Sequence, residues 1–62
     1  MNIRKIRRSL DMTQVELAEA VGVSQRAVSA WERGFSHPRV PDLPKVAKVL
    51  GVTIDELLRE EE

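Results

Sequence analysis

The chain has 62 residues, among them ten Lys and Arg, ten Asp and Glu, and no cysteine. A chain of this length predicts one domain over residues 1–62 with a small core, because it buries only about 60% of the surface that its unfolded form exposes. The absence of cysteine excludes disulfides and thiolate metal sites, and no apolar run reaches the roughly 20 residues of a membrane span or forms a signal peptide. We therefore expect a cytoplasmic protein.

The net charge of zero is unevenly distributed along the chain. Residues 1–39 contain seven Lys and Arg against four acidic residues, whereas residues 40–62 contain three against six. The basic part suits a polyanionic partner such as a nucleic acid. The alternative is that these charges only form a solvated surface, which is the usual role of charged stretches.

Two helices are predicted at the start of the chain. Ile3, Ile6 and Leu10 recur at helical spacing, which predicts a first helix over about residues 2–9. The sequence TQVE then forms a capping box at Thr13 and Glu16, where a second helix begins. The buried side of that helix is expected to contain Val15, Leu17, Ala18 and Val21.

Three further helices follow, and each has its own start and stop signals. Ser24 predicts the N-cap of a third helix over about residues 24–33, which Gly34 ends. The proline-rich segment FSHPRVPDLP is expected to be a loop, with Asp42 capping a fourth helix that ends at Gly51. A second capping box predicts a fifth helix over about residues 53–60, and the acidic residues 60–62 are expected to fray.

The second and third helices are separated only by the sequence VGVS. With so short a connection they must cross sharply and pack closely, which favours a small residue at Ala18 and a turn at Gly22. This arrangement predicts a helix-turn-helix over about residues 13–33, whose second helix presents its first residues to a partner. No strand pattern is found, so the fold class is all-α, a compact five-helix bundle.

Two stretches carry a resemblance to a known family. TQVELAEAVGVSQRAVSAWERG and FSHPRVPDLPKVAKVLGVTIDELL are similar to the phage repressor and Cro-like helix-turn-helix family, also called the XRE family, and the likeness extends over about residues 3–59. The resemblance implies a lambda-repressor-like fold and sequence-specific binding of double-stranded DNA. It also implies a homodimer on a two-fold-related operator.

The resemblance assigns roles to residues at the starts of two helices. Thr13 and Gln14, at the start of the second helix, would contact a phosphate. Ser24, Gln25 and Arg26 would open the recognition helix in the major groove, where Gln can pair with adenine and Arg with guanine. The alternative for Gln25 and Arg26 is that they are ordinary exposed helix residues.

Further contacts are expected along the recognition helix and on the loop after it. Ser29, one turn on, could reach a base or a phosphate, and backbone contacts are expected from Arg33, His37 and Arg39. Two positions depart from the family pattern. Ala30 replaces a longer base-reading side chain in some relatives, and Phe35 occupies a position that is more often basic, which predicts a smaller electrostatic contribution from the loop.

Arg7 and Glu32 are candidates for a structural ion pair. Arg7 follows Ile3 by four positions and Glu32 follows Val28 by four, so both lie near the apolar side of their helices, and the family resemblance indicates the same pairing. The alternative is two exposed charges. Among the other cations, Arg4, Lys5 and Arg8 either contact a phosphate or are only solvated.

Trp31 and His37 have simpler interpretations. Trp31 shares the apolar stripe with Val28, so we expect it in the core rather than stacked on a base. His37 has no second His or Cys as a metal-binding partner, so no metal site is expected.

The leading functional interpretation is a DNA-binding transcriptional regulator, with a repressor as the expected type. The competing interpretation is an antitoxin or adaptor module that uses the same fold chiefly to bind a protein, which the zero net charge favours slightly. An enzyme is not expected, because the chain has one His, no Cys and little room for a substrate cleft beside its core. No cofactor or small-molecule ligand is expected.

Overall fold

Five α-helices and one 3-10 helix make up the computed structural model, which describes residues 1–59. Their bounds in chain order are α1 Ile3–Ser9, α2 Gln14–Val21, α3 Gln25–Arg33, the 3-10 helix Val40–Asp42, α4 Leu43–Leu50 and α5 Ile54–Leu58. No strand occurs within residues 1–59. The predicted all-α helix-turn-helix fold is therefore confirmed. The predicted fraying of residues 60–62 lies outside the described residues.

The predicted helix caps are mostly present. Thr13 caps α2 and Thr53 caps α5, and each forms the reciprocal capping box with the glutamate three residues later. Ser24 caps α3, where its Oγ accepts a hydrogen bond from the Ala27 amide at 3.1 Å. These bonds satisfy amides that a helix N-terminus leaves without an intrahelical partner. They define where the helices begin.

The start of α4 differs from the prediction. Asp42 does precede the helix, but its side chain makes no capping hydrogen bond. Its backbone has the right-handed helical angles φ −86° and ψ −21°, because the 3-10 helix Val40–Asp42 runs directly into α4. A side-chain N-cap needs extended backbone angles, so this entry into the helix excludes it.

The last helix is shorter than predicted. It ends at Leu58, and Arg59 has extended backbone angles of φ −63° and ψ 142°. A backbone hydrogen bond from Asn2 N to Leu57 O, 2.9 Å long, links α5 to the beginning of the chain. The two ends of the described chain therefore lie side by side.

The core lies where all five helices meet. It consists of apolar side chains with at most 7% of their surface exposed: Ile3, Leu17, Ala18, Val21, Val28, Trp31, Val46, Ala47, Leu50 and Leu57. The core position predicted for Trp31 is therefore confirmed.

Two apolar residues near the ends of α1 and α2 are exposed, and one of them, Val15, was predicted on the buried side of its helix. Leu10 is 49% exposed because α1 ends at Ser9, and Asp11 then turns the chain with a φ of 55°. Val15 is 45% exposed. It precedes Leu17 by two positions, which at 3.6 residues per turn places it about 200° away around the helix axis. The predicted burial of Val15 was wrong.

Candidate nucleic-acid interface

The turn between α2 and α3 depends on Gly22. This residue adopts the left-handed conformation with φ 89°, which a glycine reaches without the steric penalty of a side chain. The amides of Gly22 and Val23 both donate to the Ala18 carbonyl, at 2.8 and 3.0 Å. Ala18 is itself buried at 3% exposure. The turn therefore closes directly onto α2, and α3 begins at Gln25, three residues after Gly22.

The beginning of α2 is held by the capping box of Thr13 and Glu16. Thr13 Oγ1 accepts from the Glu16 amide at 3.0 Å, and Glu16 Oε1 accepts from the Thr13 amide at 2.8 Å. Two hydrogen bonds lower the pKa of Glu16. The larger effect comes from the Thr13 backbone amide and the smaller one from the Thr13 side chain. The positive end of the α2 dipole thus lies next to exposed Thr13, a place that favours an anion.

Glu32 lies at the centre of a hydrogen-bond network that joins three helices. Arg7 on α1 binds both carboxylate oxygens, with Nε 2.6 Å from Oε2 and Nη2 3.0 Å from Oε1. Arg7 Nη1 also donates to the Met12 carbonyl at 2.6 Å. Only 9% of the Arg7 side chain and 2% of the Glu32 side chain are exposed. The structure thus brings together the two residues of the predicted ion pair.

The network continues from Glu32 to the starts of α2 and α3. Gln14 Nε2 donates to Glu32 Oε1 at 3.1 Å, and Gln14 Oε1 accepts from Gln25 Nε2 at 3.4 Å. Each amide has two N–H donors, so both glutamines retain one for another partner. The first residues of the two helices of the helix-turn-helix are therefore connected through side chains to a buried anchor.

Opposing effects act on the Glu32 carboxyl. Burial raises its pKa, whereas hydrogen bonds from Arg7 and Gln14 and the positive charges of Arg7 and Arg4 lower it, and the net result is a lowered pKa. The Arg4 contribution comes from a 3.9 Å approach of its Nε to Glu32 Oε1, with 52% of the Arg4 side chain exposed. Glu32 is therefore a carboxylate at neutral pH.

The first turn of α3 presents the residues predicted to read bases. Ser24, Gln25 and Arg26 are exposed, whereas Ser29 and Ala30 are half-buried. No carboxylate within residues 1–59 pairs with Arg26. The guanidinium of Arg26 is therefore available to a ligand in front of α3.

The segment after α3 lies beside that helix. A cleft of about 510 Å³ separates the turn and α3 from this segment. It is lined by Gly22, Val23, Ala27, Trp31, Ser36, His37, Arg39 and Asp42. His37 and Arg39 are exposed and contribute to the outer wall, so the structure places them alongside α3. Arg33 is exposed at the end of that helix.

Four contacts of this region were missed by the sequence interpretation. The Met12 carbonyl binds Arg7, Gln14 connects Glu32 to Gln25, and the Arg33 guanidinium lies 4.8 Å from the centre of the Phe35 ring. Arg33 and Phe35 are two positions apart, which is compatible with contact across a helix end but does not predict it. The backbone carbonyl of Met12 carries no sequence signal at all.

Within residues 1–59 there is no group of three or more His, Cys, Asp or Glu side chains arranged to hold a metal ion. Over the same range, no helix has the length and apolar character needed to cross a bilayer.

Comparison with known proteins places this helix pair in a family. The helix-turn-helix family model matches residues 3–57, which is nearly all of the chain. The chain belongs to the phage-repressor and Cro-like helix-turn-helix family. Its members are DNA-binding transcription regulators, a class distinct from enzymes.

Individual relatives match almost the whole chain. It is 42% identical over 60 residues to the HTH-type transcriptional activator BcrR of Enterococcus faecalis, which covers 97% of this chain and 29% of BcrR. It is 37% identical over 60 residues to the CTXphi transcriptional repressor RstR of Vibrio cholerae, covering 97% and 54%. It is 46% identical over 48 residues to the regulator DicA of Escherichia coli, covering 77% and 36%. The chain thus spans about half or less of the length of these relatives.

Proposed function

We propose that the protein is a sequence-specific transcription regulator that binds double-stranded DNA by inserting the first turn of α3 into the major groove. The observation that carries the proposal is the connection of Gln25 to Gln14 and, through it, to buried Glu32. This chain of hydrogen bonds fixes an exposed glutamine at the tip of α3 next to the start of α2. A fixed side chain loses less conformational entropy on binding than a freely rotating one.

The residues divide into base-reading and backbone-binding groups. Gln25 and Arg26 are proposed to read bases, since an amide matches adenine and a guanidinium matches guanine, each worth about 1–3 kcal/mol of discrimination. Ser24 and Ser29 supply shorter contacts from the same helix. Backbone phosphates are proposed to lie against Thr13, Gln14, Arg33, His37 and Arg39. Such contacts set the register of the protein on DNA and carry no sequence information.

A homodimer on a palindromic operator is proposed, because one domain this small covers only one half-site. Two half-sites about 10 bp apart would place two copies of α3 in successive major grooves. Four apolar residues lie on or near α5 and could form the dimer contact: Val40, Val52, Ile54 and Leu58. Val52 packs against the core. Val40 is 80% exposed, Ile54 39% and Leu58 46%. Ile54 and Leu58 are one helical turn apart on α5. We propose that a second copy of this chain covers the Ile54 and Leu58 face.

We propose that the protein acts in the cytoplasm and that it represses transcription. BcrR is named an activator and RstR a repressor, so relatives of both kinds exist. In vitro transcription tests whether the protein represses or activates, when the selected operator is placed between the two promoter elements that RNA polymerase contacts. Repression should appear as less transcript with rising protein concentration, and an increase in transcript would contradict it.

Selection of bound duplexes from a randomised DNA pool tests the binding function. We expect a palindrome to be enriched, and we expect Gln25→Ala and Arg26→Ala each to lose preference at one or two positions per half-site. Lys45→Ala, which removes an exposed cation on α4, is the control and should enrich the unchanged palindrome.

A different result would favour the antitoxin or adaptor interpretation. If no sequence is enriched and the protein binds DNA only weakly and in a salt-sensitive way, sequence-specific regulation is refuted. The zero net charge of the chain would then be better explained by a protein partner.

A further inference from the structure

We propose that Phe35 is a positioning residue that holds the Arg33 guanidinium for contact with the DNA backbone at the edge of each half-site. This inference rests on the proposed function. It reverses the expectation that an apolar residue at position 35 weakens the DNA contact of this loop. In this structure, the apolar residue organises a cation on the adjacent helix.

The geometry of the pair is that of a cation–π contact. The Arg33 Cζ atom lies 4.8 Å from the centre of the Phe35 ring, within the distance of about 6 Å over which such contacts are attractive. Phe35 is 73% exposed, so the ring is not part of the core. Its contact with Arg33 therefore takes place on the surface, beside the end of the recognition helix.

The backbone holds the ring in place on the helix end. Gly34 ends α3 in the left-handed conformation with φ 79°, and the Phe35 amide donates to the Ala30 carbonyl at 2.9 Å. This hydrogen bond fixes the backbone of Phe35 relative to the last turn of α3. The ring is thus presented from a defined position rather than from a freely moving loop.

Arg33 has its donors available for an anion. No carboxylate within residues 1–59 pairs with Arg33, whereas Arg7 and Arg4 both approach Glu32. A guanidinium stacked on a ring still directs its N–H groups outward from its edges, and their spacing matches two oxygens of a phosphate. Stacking also limits the conformations of the long Arg side chain before binding, which reduces the entropy lost on contact.

The position of the pair selects DNA backbone as the partner. Arg33 is the last residue of α3, and Gln25 and Arg26, the proposed base readers, are the first two. A residue at the far end of a recognition helix leaves the groove floor and approaches the flanking sugar-phosphate chain. His37 and Arg39, on the next segment, extend the same cationic edge.

The inference is tested by measuring how tightly the protein binds the selected operator duplex at several salt concentrations. The binding constant falls as salt rises, and each phosphate contact makes the slope of log K against log salt steeper by about 0.9. We expect Phe35→Ala to weaken binding roughly three- to fivefold and to make the slope shallower by about 0.9 per half-site. Arg33→Ala should make the slope shallower by the same amount, and the double variant should have no shallower slope than Arg33→Ala.

Conservative variants separate positioning from simple apolar contact. Phe35→Trp should retain wild-type affinity and slope, whereas Phe35→Leu should behave like Phe35→Ala because it lacks a π face. All these variants should keep the wild-type thermal unfolding curve, since Phe35 is exposed. Lys45→Ala on α4 is the matched control for removal of an exposed cation.

Two results would overturn the inference while leaving the proposed function standing. One is a wild-type salt slope in Phe35→Ala together with a shallower slope in Arg33→Ala, because Arg33 would then bind without the ring. The other is full affinity in Phe35→Leu. Failure of the unaltered protein to bind any duplex specifically would instead refute the proposed function, and this inference with it.

Discussion

Arg7 and Glu32 form a two-pronged ion pair in the interior of the domain, with Arg7 Nε 2.6 Å from Glu32 Oε2 and Nη2 3.0 Å from Oε1. The remaining guanidinium nitrogen of Arg7, Nη1, donates to the Met12 carbonyl. The pair therefore connects α1 to α3 and also fixes the chain just before α2. Because a domain of this size has a small core, the pair adds a polar connection to the apolar contacts that Val28 and Trp31 of α3 make in that core.

We predict that Glu32→Ala destabilises the protein by roughly 3–5 kcal/mol, because it leaves the Arg7 charge buried without a partner. Arg7→Ala should have a similar effect. Arg4→Ala is the control, because the Arg4 side chain is 52% exposed and approaches the same carboxylate no closer than 3.9 Å. This variant should change the stability by about 0–1 kcal/mol. Urea unfolding of the three variants measures the difference. A melting temperature of Glu32→Ala within a degree or two of the parent would show that the pair has no structural importance.

Stability is also predicted to depend on pH through Glu32. Its pKa is lowered in the folded protein, so the pair contributes its full stability at pH values above the unfolded-state pKa of about 4.3. That contribution is lost as the pH falls from there through the lower folded pKa. The lowered pKa of Glu16 acts in the same direction.

Unfolding free energies measured from pH 7 to pH 2 test this dependence. Glu32→Gln should be less stable at neutral pH and should lose less stability on acidification than the parent. The remaining acid sensitivity should include the Glu16 contribution. Glu19→Gln, which removes an exposed carboxylate on α2, is the control for the loss of one negative charge. An unchanged profile in Glu32→Gln would assign the acid sensitivity to other groups.

Much of the fold follows from local sequence patterns that mark where helices begin and end. The capping boxes at Thr13 and Thr53 and the left-handed Gly22 mark helix ends through bonds between near neighbours, so they are found where predicted. The start of α4 could not be predicted in this way. The 3-10 helix Val40–Asp42 runs directly into it and gives Asp42 right-handed helical backbone angles, which no single-residue preference predicts.

The side-chain network of the candidate site was only partly predictable. Helical spacing and the family resemblance bring Arg7 and Glu32 into consideration, since both follow apolar residues by four positions. Gln14 and Gln25 are 11 positions apart on different helices, and their contact depends on the crossing of α2 and α3. Periodicity defines a helix face but not the crossing angle, so this contact appears only in the structure.

We predict that Gly22→Ala destabilises the domain by roughly 1 kcal/mol. The reason is the backbone and not a clash, because a Cβ added at this position meets no atom within 4 Å while φ is +89°. Gly22→Asn should lose less stability than Gly22→Ala, because Asn tolerates the left-handed conformation better. Thermal unfolding measures both. Equal stability of Gly22→Ala and the parent would mean that the turn relaxes to another conformation.

We predict that Gln14→Ala weakens specific DNA binding and relaxes base preference at the position read by Gln25. Gln14 accepts the Gln25 hydrogen bond and donates to Glu32, so its removal frees Gln25 to rotate. The stability change should be modest, since Glu32 keeps its two bonds from Arg7. Gln14→Glu should be worse than Gln14→Ala, because a second carboxylate would face Glu32 Oε1 across about 3 Å and repel it.

Competition binding with operators altered at single base pairs measures this effect. The expected pattern is a reduced penalty for changing the Gln25-dependent pair and unchanged penalties at pairs assigned to Arg26. Val15→Ala, an exposed neighbour of Gln14 on α2, is the control and should keep every penalty. A uniform loss of affinity in Gln14→Ala, with all penalties preserved, would assign Gln14 a phosphate contact alone. The hydrogen bond to Gln25 would then have no part in base reading.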